Sequence, residues 1–177
     1  LLWILVKDVG LQRLRQEVRV PLQQLHIAPF YGCYILRPSW HLGFDDPENP
    51  TSLERVIRAV SAEPIVYAGR TKCCGFPIIL EKEAIAVTMA GQNMKEAKES
   101  GADAMVTPCP LCHMSLDIYQ ERAGLAVSTT LNLPILHLPQ LLGLAMGLPA
   151  KDLGLARHLI SVESLVRKIE RPQAAAL

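Results

Sequence analysis

Short apolar runs alternate along this chain with stretches in which apolar residues recur every three or four positions, and turn-forming residues separate them. Residues 25–31 form a mostly apolar run closed by Gly32, which predicts a buried strand; Pro29 within it argues for an edge position or a bulge. His26 reads as a strand-edge residue. Residues 65–68, 102–107 and 133–137 predict three further strands. Between them, Leu53, Val56, Ile57 and Val60 share one helical face, and Thr51 with Glu54 forms a capping box at its start. Residues 81–100 give a long helical pattern closed by Gly101, and helices follow over 111–120 and 138–147. Residues 1–19 space apolar and charged positions as a surface helix does.

Strand–helix alternation of this kind predicts an α/β fold: a single cysteine-rich domain with a small, mostly parallel sheet flanked by helices. Its extent is 25–160, with 1–24 as an N-terminal helix or linker from a preceding, missing domain and 161–177 as a C-terminal tail. Residues 167–177, charged and then rich in Pro and Ala, read as a fraying end. The chain opens Leu-Leu-Trp rather than with Met, so a fragment is expected. Residues 37–50, dense in Pro, Asp and Gly, form a loop long enough to be functional. Trp40 and His41 lie inside it, as a packing Trp and a solvent His or as residues lining a substrate's approach.

Composition narrows the classes. Half of the 177 residues are hydrophobic and a fifth charged, with 18 basic against 17 acidic side chains, so neither nucleic acid nor an anionic membrane is an expected partner. No apolar run reaches the roughly 18 residues of a spanning helix, so no transmembrane segment is expected. No signal peptide is visible, so a reducing cytoplasm is the expected compartment, where clustered cysteines read as metal-binding or catalytic.

All five cysteines fall between Cys33 and Cys112, as Tyr31-Gly32-Cys33, Cys73-Cys74-Gly75 and Cys109-Pro110-Leu111-Cys112. Each group follows a predicted strand, and parallel strands put their carboxyl ends on one edge, so the three groups are expected to converge there. Cys112 falls near a helix N-terminus, where exposed amides favour a thiolate. Zinc needs four ligands; Cys73, Cys74, Cys109 and Cys112 supply them, but adjacent Cys73 and Cys74 fit a closed tetrahedron poorly and Cys33 is left over. Five thiolates suit an iron–sulfur centre better, with zinc the alternative. Arg70 and Lys72, just before the pair, either favour anionic groups at the site or belong to a solvated loop.

These motifs, with the flanks Leu36-Arg37-Pro38, Thr107-Pro108 and Gln140-Leu141-Leu142-Gly143, resemble the cysteine-rich CCG domain of the heterodisulfide reductase B-subunit family, in its C-terminal copy. The resemblance covers about residues 25–160, although family members carry two such domains in tandem. It implies a noncubane [4Fe-4S] cluster held by Cys33, Cys73, Cys74, Cys109 and Cys112, at which a disulfide substrate is cleaved. Electrons would come from a ferredoxin-like iron–sulfur partner (the C-type subunit of heterodisulfide reductase) and ultimately from a flavin partner (its A-type subunit). Related CCG domains occur in thiol:fumarate reductases, glycolate oxidase and lactate-utilisation proteins, so an electron-relay role is also open. Several heterodisulfide reductases carry His after the first cysteine; here it is Tyr34, whose phenol can also donate a proton. His113 is a second proton-donor candidate or a helix-surface residue. A reading of another class is a non-catalytic docking module stapled by zinc or iron, with residues 133–148 as docking face or as core.

Overall fold

Four strands, β1 (His26–Pro29), β2 (Glu63–Pro64), β3 (Ala104–Thr107) and β4 (Ile135–His137), form one sheet in the order β2-β1-β3-β4, with every neighbouring pair parallel. The structure, a computed structural model, describes residues 1–170. Eight α-helices accompany the strands among these residues: α1 (Leu11–Gln16), α2 (Ser39–Leu42), α3 (Ser52–Ala59), α4 (Glu83–Glu99), α5 (Pro110–Ile118), α6 (Gln120–Ala126), α7 (Leu138–Ala145) and α8 (Glu163–Glu170). The sheet is wholly parallel, and the α/β expectation holds.

Alternation along the strands divides the apolar side chains between two cores. Ile27, Ala104, Val106 and Leu136 face α3 and α7, where Leu53, Val56, Ile57, Leu138, Leu141 and Leu142 meet them. Ala28, Met105 and Ile135 face the opposite way, onto Ala90, Met94 and Ala97 of α4, Leu116 of α5 and Ala123 of α6. Leu2, Leu5, Leu14 and Leu22 before the sheet, and Val162 and Leu165 after it, join the first core. Residues 133–148 contribute core: Leu133, Ile135, Leu136, Leu138, Leu141, Leu142, Leu144 and Ala145 are buried.

Several local expectations change, each for a physical reason. Residues 1–19 are not one helix: Gly10, at φ 82°, separates a π-helical turn (Ile4–Val9) from α1. Strand β2 occupies Glu63–Pro64, ahead of the predicted 65–68. It is an edge strand whose last sheet bond is the Ile65 amide donating to the Ile27 carbonyl, and Val66 beyond it is exposed. Pro29 pairs with β3 alone, because the pairing with β2 stops at Ile27, so it lies at a local edge of the sheet and not in a bulge. Its missing N–H costs nothing because that position faces the β2 side, where β2 has already ended; the Pro29 carbonyl there accepts the Tyr67 hydroxyl at 2.9 Å. Thr51 does start α3, but no capping box forms. Asp45 instead accepts the Thr51 and Ser52 amides at 3.0 and 2.8 Å, and Glu54 turns inward. The predicted helix over 111–120 is α5, and a further helix, α6, follows it. Residues 167–170 belong to α8, where Lys168 reaches Asp103 at 2.7 Å; 171–177 lie outside the described residues.

Strand β1 lies between β2 and β3, so the chain leaves it toward one side of the sheet and later returns to its other side. Ligands in such sheets gather beyond the carboxyl ends at this reversal. Cys33 follows β1 and Cys109 follows β3, on the two sides of that crevice. Among the described residues no helix is long and apolar enough to cross a membrane. Ile27→Ala and Met105→Ala each empty a fully buried position, one per core. Each variant is expected to lose about 2–5 kcal/mol of unfolding free energy in urea titrations.

Candidate metal centre

Each cysteine group is fixed by the backbone that carries it. After β1 the Phe30 amide donates to the Val106 carbonyl at 2.8 Å, and the Tyr31 amide turns to the Arg70 carbonyl at 2.8 Å. Gly32 then takes φ 68°, and a Cβ there would stand 2.7 Å from the Cys112 sulfur. Only glycine satisfies both the backbone angle and the approach of that sulfur. Cys33 closes a turn in which its carbonyl accepts the Leu36 and Arg37 amides.

The Cys73-Cys74 step is held through its carbonyls. Asn93 of α4 donates its side-chain amide to the Cys73 carbonyl at 2.9 Å, and Ser115 of α5 its hydroxyl to the Cys74 carbonyl at 3.0 Å. Gly75, at φ 83°, lies so close to α4 that a Cβ would overlap the Ala86 backbone. This explains glycine after the pair: the turn needs a positive φ, and it must lie flush on a helix. Cys109 is the N-cap of α5, Pro110 occupies the first turn without an N–H to lose, and Cys112 sits one turn in, buried.

The structure brings all five cysteines together. Cys33 lies beside Cys73, while Cys112 lies beside both Cys109 and Cys74. The Cys112 thiol is pushed far above the ordinary range by Cys109, Cys74 and burial, in that order. Its two neighbours move the other way. Cys109 is lowered to about 5 by the Cys112 thiol, against its own burial, with help from the Cys112 and Leu111 amides at the start of α5. Cys74 is lowered to about 7 by the Cys112 thiol and, less, by the Phe76 amide. Burial, then Cys73, pushes Cys33 up.

Around the thiols the polar residues separate into those that face the centre and those that do not. Tyr34, next to Cys33, is 65% exposed. Trp40 and His41, on α2, are exposed as well. Lys72 pairs with Glu96 at 3.1 Å, and Arg70 turns inward to Glu54, so neither is a free cation at the site. His113 is half-buried, its Nε2 against the Ile135 carbonyl at 3.1 Å, and burial followed by the neighbouring His158 holds its imidazole below the usual range. Its ring lies 4.8 Å from that of His158 and 6.0 Å from that of His137. Sequence reasoning missed this histidine group. His137 closes β4 on the cysteine edge, with its Nε2 3.3 Å from the Pro108 carbonyl, and that strand position was the available signal. His158 comes from a loop with no such signal; Gln140 meets its Nε2 at 2.9 Å.

Five soft donors, amides aimed at Cys73, Cys74 and Cys109, and a glycine, Gly32, that makes room for the Cys112 sulfur fit a thiolate-held metal centre. Among the described residues, no group of three or more His, Cys, Asp or Glu side chains is arranged as a cage for a single metal ion. In protein freed of metal, iodoacetamide is expected to label Cys109 before Cys112, and the Cys109 rate to rise as pH climbs through about 5, where its thiolate forms; peptide mass spectrometry reads both. Gly32→Ala, which drives a methyl into the Cys112 sulfur, is expected to lower metal bound per folded chain several-fold by elemental analysis.

The family model described as a cysteine-rich CCG domain matches residues 27–117, more than half of the chain and all five cysteines. The membrane anchor subunit of an 8-methylmenaquinol:fumarate reductase from Wolinella succinogenes is 44% identical over 93% of this chain and 57% of its own length. A protein of Archaeoglobus profundus, described as like the B subunit of heterodisulfide reductase, is 35% identical over 86% of this chain and 53% of its own. The B subunit of a ferredoxin/F420H2-dependent CoB-CoM heterodisulfide reductase from Methanosarcina acetivorans is 29% identical over 93% and 55%. The chain thus spans about half the length of the curated relatives it matches. A crystal structure of a hypothetical protein from Helicobacter pylori shares the fold, with a TM-score of 0.63 at 16% identity, over 86% of this chain and 28% of that one. With its five cysteines, its α/β frame and these relatives, the chain belongs to the cysteine-rich CCG domain family that is found in the B subunits of heterodisulfide reductases.

Proposed function

We propose that this chain is the iron–sulfur part of a heterodisulfide-reductase-like oxidoreductase subunit, in which Cys33, Cys73, Cys74, Cys109 and Cys112 hold a noncubane [4Fe-4S] cluster. The observation that carries this reading is the meeting of five thiols from three separate segments, two of them just past the ends of β1 and β3. A single tetrahedral zinc uses four such donors and leaves one over, whereas iron–sulfur centres take more. When bound, the cluster supplies electrons and a thiophilic iron to a disulfide. The reaction is R–S–S–R′ + 2 e⁻ + 2 H⁺ → RSH + R′SH, with the electrons delivered by a ferredoxin-like iron–sulfur partner and ultimately by a flavin partner.

The chain's own residues have three tasks in this scheme. The five thiolates position the centre, and the Phe76, Leu111 and Cys112 amides stabilise negative sulfur beside it. Tyr34, open to solvent beside Cys33, serves as a proton source for a leaving thiolate. His113 is less suited, because its Nε2 is engaged by the Ile135 carbonyl.

A second reading has its own support. The 44% identity to part of a menaquinol:fumarate reductase favours an electron-relay role, in which the same centre passes electrons between partners and cleaves no disulfide. Iron, acid-labile sulfide and zinc on anaerobically isolated protein come first; about four irons and four sulfides per chain are expected for a four-iron cluster. With the partner subunits present, a new paramagnetic signal on oxidation with thiol supports disulfide chemistry, and electron throughput without it supports relay. One zinc and no iron sinks both and leaves a docking module. Cys74→Ser is expected to abolish or alter the cluster spectrum; an unchanged spectrum and iron content would overturn the five-ligand assignment.

A further inference from the structure

Glu54, the one carboxylate of α3, is buried and has neither solvent nor the cap it was expected to make. Its Oε2 accepts the Tyr31 hydroxyl, and its Oε1 pairs with the Arg70 guanidinium. That guanidinium also donates to the Pro50 carbonyl at 2.9 Å and to the Asn49 side chain at 2.6 Å. The Tyr31 hydroxyl accepts the Leu53 amide at 2.8 Å, so its proton is committed to Glu54 and its lone pair to the helix.

What distinguishes this buried pair is where its two donors lie. Tyr31 is two residues before Cys33, and Arg70 is three residues before Cys73. The two segments are also bonded directly, the Tyr31 amide to the Arg70 carbonyl. Beyond that bond the chains carry two neighbouring thiols, Cys33 and Cys73. One carboxylate therefore grips both shoulders of one half of the centre. The other half, Cys74, Cys109 and Cys112, is anchored separately, through Ser115 and the start of α5.

We propose that Glu54, with Tyr31 and Arg70, is a positioning residue that sets the separation of the Cys33 and Cys73 sulfurs, and through it the electronic character of the metal they hold. The part concerning metal rests on the cluster reading above; the part concerning the two sulfurs does not. Removing one member of a buried pair leaves the other uncompensated, so a loss of stability alone proves nothing about the site. The test therefore needs variants of graded severity and a control. Glu54→Gln keeps size and an acceptor but loses the charge, and Tyr31→Phe loses one hydrogen bond and keeps the ring. Asp103→Asn, which breaks the Lys168–Asp103 pair, is the control for an ion pair lost elsewhere.

Two readouts follow. In metal-free protein, dibromobimane bridges two neighbouring thiols, each thiolate displacing one bromide, and peptide mass spectrometry identifies the pair. The Cys33–Cys73 bridge is expected to fall several-fold in Glu54→Gln and in Tyr31→Phe, while bridges among Cys74, Cys109 and Cys112 persist and Asp103→Asn matches the parent. In metal-loaded protein, the same two variants are expected to retain iron and to shift the midpoint potential and EPR g-values, again unlike Asp103→Asn. If both variants bridge Cys33 to Cys73 as the parent does, the proposal is overturned, whatever metal the parent holds. If bridging falls but the parent carries no iron, the positioning role stands and the cluster reading is what fails. Should Glu54→Gln not fold, Tyr31→Phe decides.

Discussion

Hydrogen bonding between β1 and β3 is the constraint on which the centre depends. It aligns two strands whose carboxyl ends carry Cys33 and Cys109, and it does so in register, from Ile27 opposite Ala104 to Pro29 opposite Val106. A shift of one residue in a parallel pair exchanges the faces of every side chain on the strand that moves. Here a slip of β3 against β1 would send Ala104 and Val106 toward α4 and Met105 toward α7, while Ile27 and Ala28 kept their places. The same slip would carry Gly32 away from the Cys112 sulfur. Core packing therefore fixes the register, and the register fixes the meeting of the thiols.

At the centre itself, polar groups are satisfied by unlike means. The group around Cys112 relies on Ser115, which holds the Cys74 carbonyl, and on the amides at the start of α5. The Cys33 and Cys73 segments rely on a buried carboxylate supplied by α3. These supports come from opposite faces of the sheet, since α3 belongs to the first core and α5 to the second. The cysteine cluster thus lies where two separately packed layers meet.

Much of this was legible in the sequence because it rests on pattern and spacing. Alternation pointed to the α/β frame, and cysteines clustered just past strand ends pointed to their convergence. Strand β2 was misplaced because an edge strand with one neighbour needs only two paired residues, and Ile65 to Ala68 has the same composition as a longer one. Pro29 pointed to an edge, but that edge is local to the end of β1, because β2 is too short to reach it, a fact of three dimensions. Thr51 and Glu54 matched a capping box in spacing, but a buried tyrosine and arginine from distant segments claimed the glutamate. His158 became visible only when its loop was seen folded against His113. In each miss a long-range partner outweighed a local rule.

The Gly32 approach to Cys112 has a consequence for how such a centre is made. In small zinc modules a metal can gather ligands from neighbouring turns and so direct the chain into shape. Here the first and last ligands lie at opposite ends of the span 33–112, and they meet only across a completed β1–β3 pairing. For the proposed ligand set, strand pairing rather than the bound group thus brings the two ends of the span together, and Gly32 lets them come close.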